Sequence, residues 1–218
     1  IHQTFSKALT WFIVGIKDSG KSMFAEHLGA LHLDLNHGLF DLFASVDGEN
    51  LCWLRSPYAK DRRVLLLRSK YCDVNCSFET KVASEFNLAD LERYDIIISS
   101  FPLYLDTGDM LLNSGLITKA FEYRGETGWD KLIFVICRES SNLFYSRLKI
   151  EPDQNLAKGA MLGLIRQMRH LGMSLALDTL KFTSVDADLR GGLLDFMIFK
   201  ALGTSGLPKG LSFMYRYI

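Results

Sequence analysis

The sequence predicts an α/β fold, a mostly parallel sheet sandwiched by helices, in one domain over residues 1–218. Three observations predict it. Apolar runs of strand length recur at Trp11–Val14, Val64–Leu67, Ile96–Ile98, Leu132–Cys137, Ser174–Leu177 and Phe196–Phe199. They are short, unbroken and bounded by polar turns, as strands buried on both faces are. Helical stretches separate them: one runs to about Leu33, one covers Asp109–Arg124, and one covers Asn155–His170 with Leu156, Ala160, Leu164 and Met168 at four-residue spacing. That alternation is the pattern of a doubly wound sheet. The third observation is the order run, loop, helix around residues 11–28.

Gly15-Ile16-Lys17-Asp18-Ser19-Gly20-Lys21-Ser22 reads G-x-x-x-x-G-K-S, the Walker A phosphate-binding pattern. Trp11-Phe12-Ile13-Val14 precedes it and Met23-Phe24-Ala25-Glu26-His27-Leu28 follows it, so the loop stands between a strand and a helix start. Inward-facing amides of such a loop form an anion cradle, and the helix adds its positive end. All eight residues are candidates for binding ATP, with Lys21 reaching the β- and γ-phosphates and the Ser22 hydroxyl ligating Mg²⁺. The predicted class is therefore a P-loop NTPase of the RecA-like kind.

Residues 34–80 fit the alternation less well. Asp47-Gly48-Glu49-Asn50 is a turn signal between Phe40–Val46 and Leu51–Leu54, which predicts a β-hairpin within a small β-rich elaboration over about 34–80. Trp53, Pro57 and Tyr58 cluster there as core or a partner surface.

Composition narrows the class. Charged residues make up 23% and apolar residues 48%, an ordinary globular balance. With 25 basic and 25 acidic residues the formal charge is +0, which excludes a uniformly basic nucleic-acid coat while allowing a grip through a few loops. No apolar run approaches about 18 residues, so no membrane span is expected. Lys7 and its polar neighbours interrupt the first ten residues, unlike a signal peptide. Cys52, Cys72, Cys76 and Cys137 form no zinc pattern and read as reduced thiols of a cytoplasmic protein.

A P-loop enzyme also needs an acid at a strand end to hold Mg²⁺ through water, and a Glu to activate the attacking water. Leu132–Cys137 is followed by Arg138-Glu139, so Glu139 stands at the water-activating place while Arg138 replaces the expected Asp. Asp95 and Asp178, at other strand ends, are the candidate substitutes.

Downstream, Arg169-His170-Leu171-Gly172 ends a helix, a buried strand ends in Asp178-Thr179, and Val185-Asp186-Ala187-Asp188-Leu189-Arg190 precedes the last strand. Here the chain resembles ATPases of the FtsK/HerA superfamily, including viral DNA-packaging ATPases and Zot-like phage proteins. The resemblance covers Trp11–Ser22 and roughly Lys131–Lys200; Thr179 matches the sensor Thr, with Leu180 in place of the following Gln. It implies a DNA translocase with ATP at subunit boundaries of a ring, commonly a hexamer, that grips double-stranded DNA and works in a host cytoplasm, against a portal or capsid protein. It also implies sensor roles for Asp178 and Thr179 and an arginine finger drawn from Arg147, Arg166, Arg169 and Arg190, with Arg190 first. Lys60, Arg62 and Arg63 are the basic loop cluster available to a pore. Two other readings stay open: a P-loop kinase acting on a nucleotide or polynucleotide end, and a weakly hydrolysing nucleotide switch or scaffold.

Overall fold

A computed structural model of the protein describes residues 7–43, 48–69, 75–87, 89–99, 107–145, 152–168, 170, 172–191 and 194–200. Eight strands form one sheet: β1 Thr10–Gly15, β2 Gly38–Phe43, β3 Val64–Arg68, β4 Glu79–Val82, β5 Ile96–Ser99, β6 Ile133–Cys137, β7 Met173–Thr179 and β8 Phe196–Lys200. Their order is β4-β3-β5-β2-β6-β7-β1-β8. Every pairing among them is parallel.

Parallel strands need crossovers, and helices on both faces supply them. Side chains of β1 alternate accordingly. Trp11 and Ile13 face the layer made by α1, Lys21–Asp34, with its buried Ala25, Leu28 and Leu33. Phe12 and Val14 face the opposite layer, where α2, Thr107–Thr127, contributes Leu116, Ile117 and Ala120. Helix α3, Pro152–Met168, joins that layer through Ala157, Met161, Leu164, Ile165 and Met168. The sequence places Leu156 and Ala160 on the apolar stripe, but both are exposed, so the buried stripe runs one residue later.

The hairpin expected in residues 34–80 is not formed. Residues 38–43 are a central strand, paired in parallel with β5 and β6. Leu51–Leu54, expected as the return strand, lie in the helical stretch of residues 49–55. The physical reason is burial: Leu39, Phe40 and Leu42 are buried, and Trp53 packs against the α1 backbone at Gly29, where a Cβ would lie 2.9 Å from its ring. Trp53 is thus core, and its indole NH donates to Asp41 Oδ2 at 2.9 Å. Among the described residues, Cys52, Cys76 and Cys137 form no disulfide. Among the described residues, no helix is long and apolar enough to cross a membrane.

Candidate nucleotide site

In a parallel sheet every strand ends on the same edge, and there the connections diverge to leave a crevice. Gly15 ends β1 on that edge, beside β8. Only glycine fits, because a Cβ would lie 2.3 Å from the Lys200 carbonyl oxygen. The chain then turns through Asp18 at φ 61° and Gly20 at φ 79° into α1. Gly20 caps α1 without a side-chain hydrogen bond, and no acid occupies the first turn. The orphan amides of that turn are left for an anion.

A cavity of about 580 Å³ opens in front of this helix end, lined by Lys17, Asp18, Gly20, Lys21, Ser22, Glu49, Glu139, Asp178 and Leu180. Lys21 Nζ donates to the Ile16 carbonyl at 3.1 Å, folded back over its own loop. The Ser22 hydroxyl donates to the Glu49 carboxylate at 3.1–3.2 Å. Ser19 Oγ is buried without a partner among the described residues, which suits a loop shaped to receive an anion. Asp178 ends the cavity's far wall. Burial pushes its carboxyl up to about 6, against the opposing pull of the Glu139 amide, Arg138 and Lys21. Oxygen donors on Ser22, Glu49 and Asp178 suit a hard cation such as Mg²⁺, which takes one or two carboxylates and keeps water and phosphate as its other ligands.

The chain matches no protein-family model, and no curated protein matches it. Solved structures do. Over 98% of its length the chain superposes, at TM-score 0.53 and 18% identity, on 83% of the genome packaging NTPase B204 from Sulfolobus turreted icosahedral virus 2 in complex with ATP-gammaS. It superposes over 96% of its length, at TM-score 0.52 and 18% identity, on 82% of B204, the DNA-packaging ATPase from Sulfolobus Turreted Icosahedral Virus. The fold is that of a P-loop NTPase.

On that P-loop fold, the cavity brings together most of the expected site residues. Lys17, Asp18, Gly20, Lys21, Ser22, Glu139 and Asp178 line it. Asp95 does not. It precedes β5 at the opposite edge of the sheet, paired with Lys131 Nζ at 2.7 Å, so it is no substitute for the missing Walker Asp. Thr179 is buried behind Asp178, its hydroxyl 3.4 Å from Ser184 Oγ. Arg190 gives its Nε–H to the Val185 carbonyl at 2.9 Å and lies over the Phe182 ring. Arg166 is exposed, 4.0 Å from Asp188. Neither arginine lines the cavity. Arg147 and Arg169 lie outside the described residues. Within the basic cluster, Arg62 donates to the Leu33 carbonyl at 2.7 Å, and the Arg63 backbone amide donates to Asp95. Both sit at the sheet edge away from the cavity.

Arg138 does not point at the cation position. It is fully buried beneath the cavity, with Nη2 2.8 Å from Asp41 and Nη1 3.1 Å from Glu26 and 3.4 Å from Glu49. Burial works to lower its pKa, but Asp41 and Glu26 outweigh that and hold it above the ordinary guanidinium value. The sequence reading missed this network. Its signal was Asp41 inside the apolar run Leu39–Phe43, because a buried acid demands a buried partner. Glu49 carried no such signal; it read as part of a turn.

Proposed function

We propose that this chain is an ATP-hydrolysing DNA translocase of the genome-packaging kind, related to FtsK/HerA motors. The observation that carries the reading is the uncapped start of α1 facing a cavity with Lys21, Ser22 and Asp178 on its walls. The loop amides and Lys21 bind and orient the phosphate tail and offset its charge. When bound, Mg²⁺ would supply charge neutralisation at the phosphates; the Ser22 hydroxyl and, through water, Asp178 are the donors placed to hold it. Leu180 adds an apolar side chain to the cavity wall. The likeness to structures of B204 in complex with ATP-gammaS and AMPPCP supports a triphosphate in this cavity.

The same reading places the protein in the host cytoplasm as a ring, with an arginine such as Arg190 reaching a neighbour's nucleotide, double-stranded DNA in the pore, and a portal or capsid protein as its docking partner. The test is steady-state ATP hydrolysis with and without duplex DNA, together with the native mass of the assembly. Turnover stimulated several-fold by duplex DNA, in a particle of several subunits, is expected. Phosphate transfer to an oligonucleotide end would replace this reading with the kinase. Tight ATP binding without turnover would leave a switch.

A further inference from the structure

We propose that Lys200 is a second cation of the phosphate loop, held behind the loop without an acid of its own, and that it raises affinity for a phosphate tail in step with the charge the tail carries. The proposal rests on the nucleotide site described above. Lys200 ends β8 and stands in register with Gly15, where the loop begins. Its side chain reaches the other end of the loop. There Nζ donates to the carbonyl of Gly20, the residue that precedes α1, at 3.2 Å. One residue thus touches both ends of the loop: its carbonyl lies under Gly15, and its ammonium lies against Gly20.

The ammonium lacks a counter-charge. Among the described residues it pairs with no carboxylate; it meets the Gly20 carbonyl and, 5.3 Å away, the centre of the Phe24 ring. Residues 201–218, which follow it, contain no Asp or Glu. The first turn of α1 carries no acid either. A cation beside the N-terminal end of a helix is opposed by the helix dipole. The ligand-free loop therefore gathers like charge: the orphan amides of α1, Lys21 and Lys200. The Ser19 hydroxyl, also in this loop, is buried without a partner among the described residues. An ammonium in this place is disfavoured while the loop is empty and becomes favourable once an anion enters it.

Lys200 is not on the cavity wall, so it is a positioning residue rather than a phosphate ligand. It acts through the loop. It holds the Gly20 turn, at φ 79°, and adds positive potential behind it. Its side of the sheet matters too. β1 lies between β7 and β8, so Asp178 offers a cation ligand on one side of the loop while Lys200 adds charge on the other.

The test compares wild type, Lys200→Met, which keeps an unbranched apolar stem and removes the charge, and Lys200→Arg, which keeps the charge. AMP, ADP and a non-hydrolysable ATP analogue are titrated in EDTA, so that ligand charge rises along the series. KM and kcat for ATP in Mg²⁺ and the urea midpoint of the ligand-free protein are measured alongside. Lys200→Met should weaken the ATP analogue about tenfold, ADP less, and AMP about twofold or less, because the loss follows ligand charge. KM should rise about tenfold with kcat little changed, as for an interaction made equally in ground and transition states. The ligand-free midpoint should not fall. Lys200→Arg should bind the analogue within about threefold of wild type.

A residue that merely straps the loop to β8 would behave differently. The proposal is overturned if Lys200→Met binds the analogue within about threefold of wild type, if it loses AMP, ADP and the analogue by the same factor, or if its ligand-free midpoint drops. Should Lys200→Met not fold, Lys200→Gln takes its place, and failure of both to fold overturns the proposal as well. Wild-type protein that binds no ATP analogue would instead remove the nucleotide site itself. Binding without hydrolysis would remove the motor and leave the role of Lys200 standing.

Discussion

Two groups of opposite charges sit at opposite edges of one sheet, and they differ in what they leave over. At the edge where strands begin, Asp95 is clasped by Lys131 at 2.7 Å and by Arg63 at 3.9 Å, and its charge is fully answered. At the edge where strands end, one arginine, Arg138, faces three carboxylates: Asp41, Glu26 and Glu49. Two negative charges therefore go unanswered within the cluster, and Lys17 and Lys21 are the lysines on the cavity wall. The first edge is closed, and closed pairs near solvent add little. The second is open, and an excess of acid beside an uncapped helix start is what recruits a cation together with an anion. Ion pairing by itself thus says little; the residual charge, and whether a cavity faces it, separates a brace from a site.

That contrast breaks in a definite order. Lys21→Ala should have the largest effect, abolishing turnover and weakening triphosphate binding by about 10²-fold or more, because it removes the ammonium that adds to the loop amides in offsetting the β/γ charge; isothermal titration with a non-hydrolysable analogue measures it. Arg138→Met should come next, at about 3–5 kcal/mol of folding stability in urea titration, since it strands the fully buried Asp41 as an unpaired charge. The double change with Asp41→Leu should recover most of that loss.

Asp178→Asn should act through pH. The Asp178 carboxyl is held at about 6, above its ordinary 3.8, so between those values the folded protein keeps a proton that the unfolded chain has released. Stability therefore declines as pH rises from about 4 to about 6, by up to roughly 3 kcal/mol. The neutral Asn removes that slope, as unfolding free energies at pH 4, 5, 6 and 7 would record. The smallest effect should come from Asp95→Asn at the closed edge. Burial would raise that carboxyl, but Lys131 and the Arg63 amide outweigh it and hold it low. Its stabilisation is therefore present at neutral pH and fades on acidification, at about 1 kcal/mol or less. Analogue affinity should not change. A loss of nucleotide binding in Asp95→Asn would erase the distinction between the two edges.

Most of the scaffold was legible because buried parallel strands announce themselves as unbroken apolar runs, and six of the eight did. β4 did not. Glu79-Thr80-Lys81-Val82 is an edge strand with polar side chains and no apolar face to betray it. β2 was seen but paired wrongly, since a turn signal at residues 47–50 suggests a local partner while the true partners are Ile96–Ile98 and Ile133–Cys137, far along the chain. In the site, the 15–22 loop and Asp178 were readable as local words. Glu49 and Arg138 were not, because their meaning lies in contacts between residues 89 apart. A sequence shows which side chains are unusual where they stand, and only the fold shows what they stand next to.

One topological detail bears on how the protein is born. β1 lies between β7 and β8, with Thr10 beside Leu175 and Trp11 beside Phe196. The floor beneath Gly15 is the carbonyl of Lys200. A nascent chain emerging at about 5–20 residues per second thus carries its phosphate loop outside the ribosome for many seconds before either flanking strand exists. The sheet on both sides of the phosphate loop is thus complete only after residues 173–200 have been made.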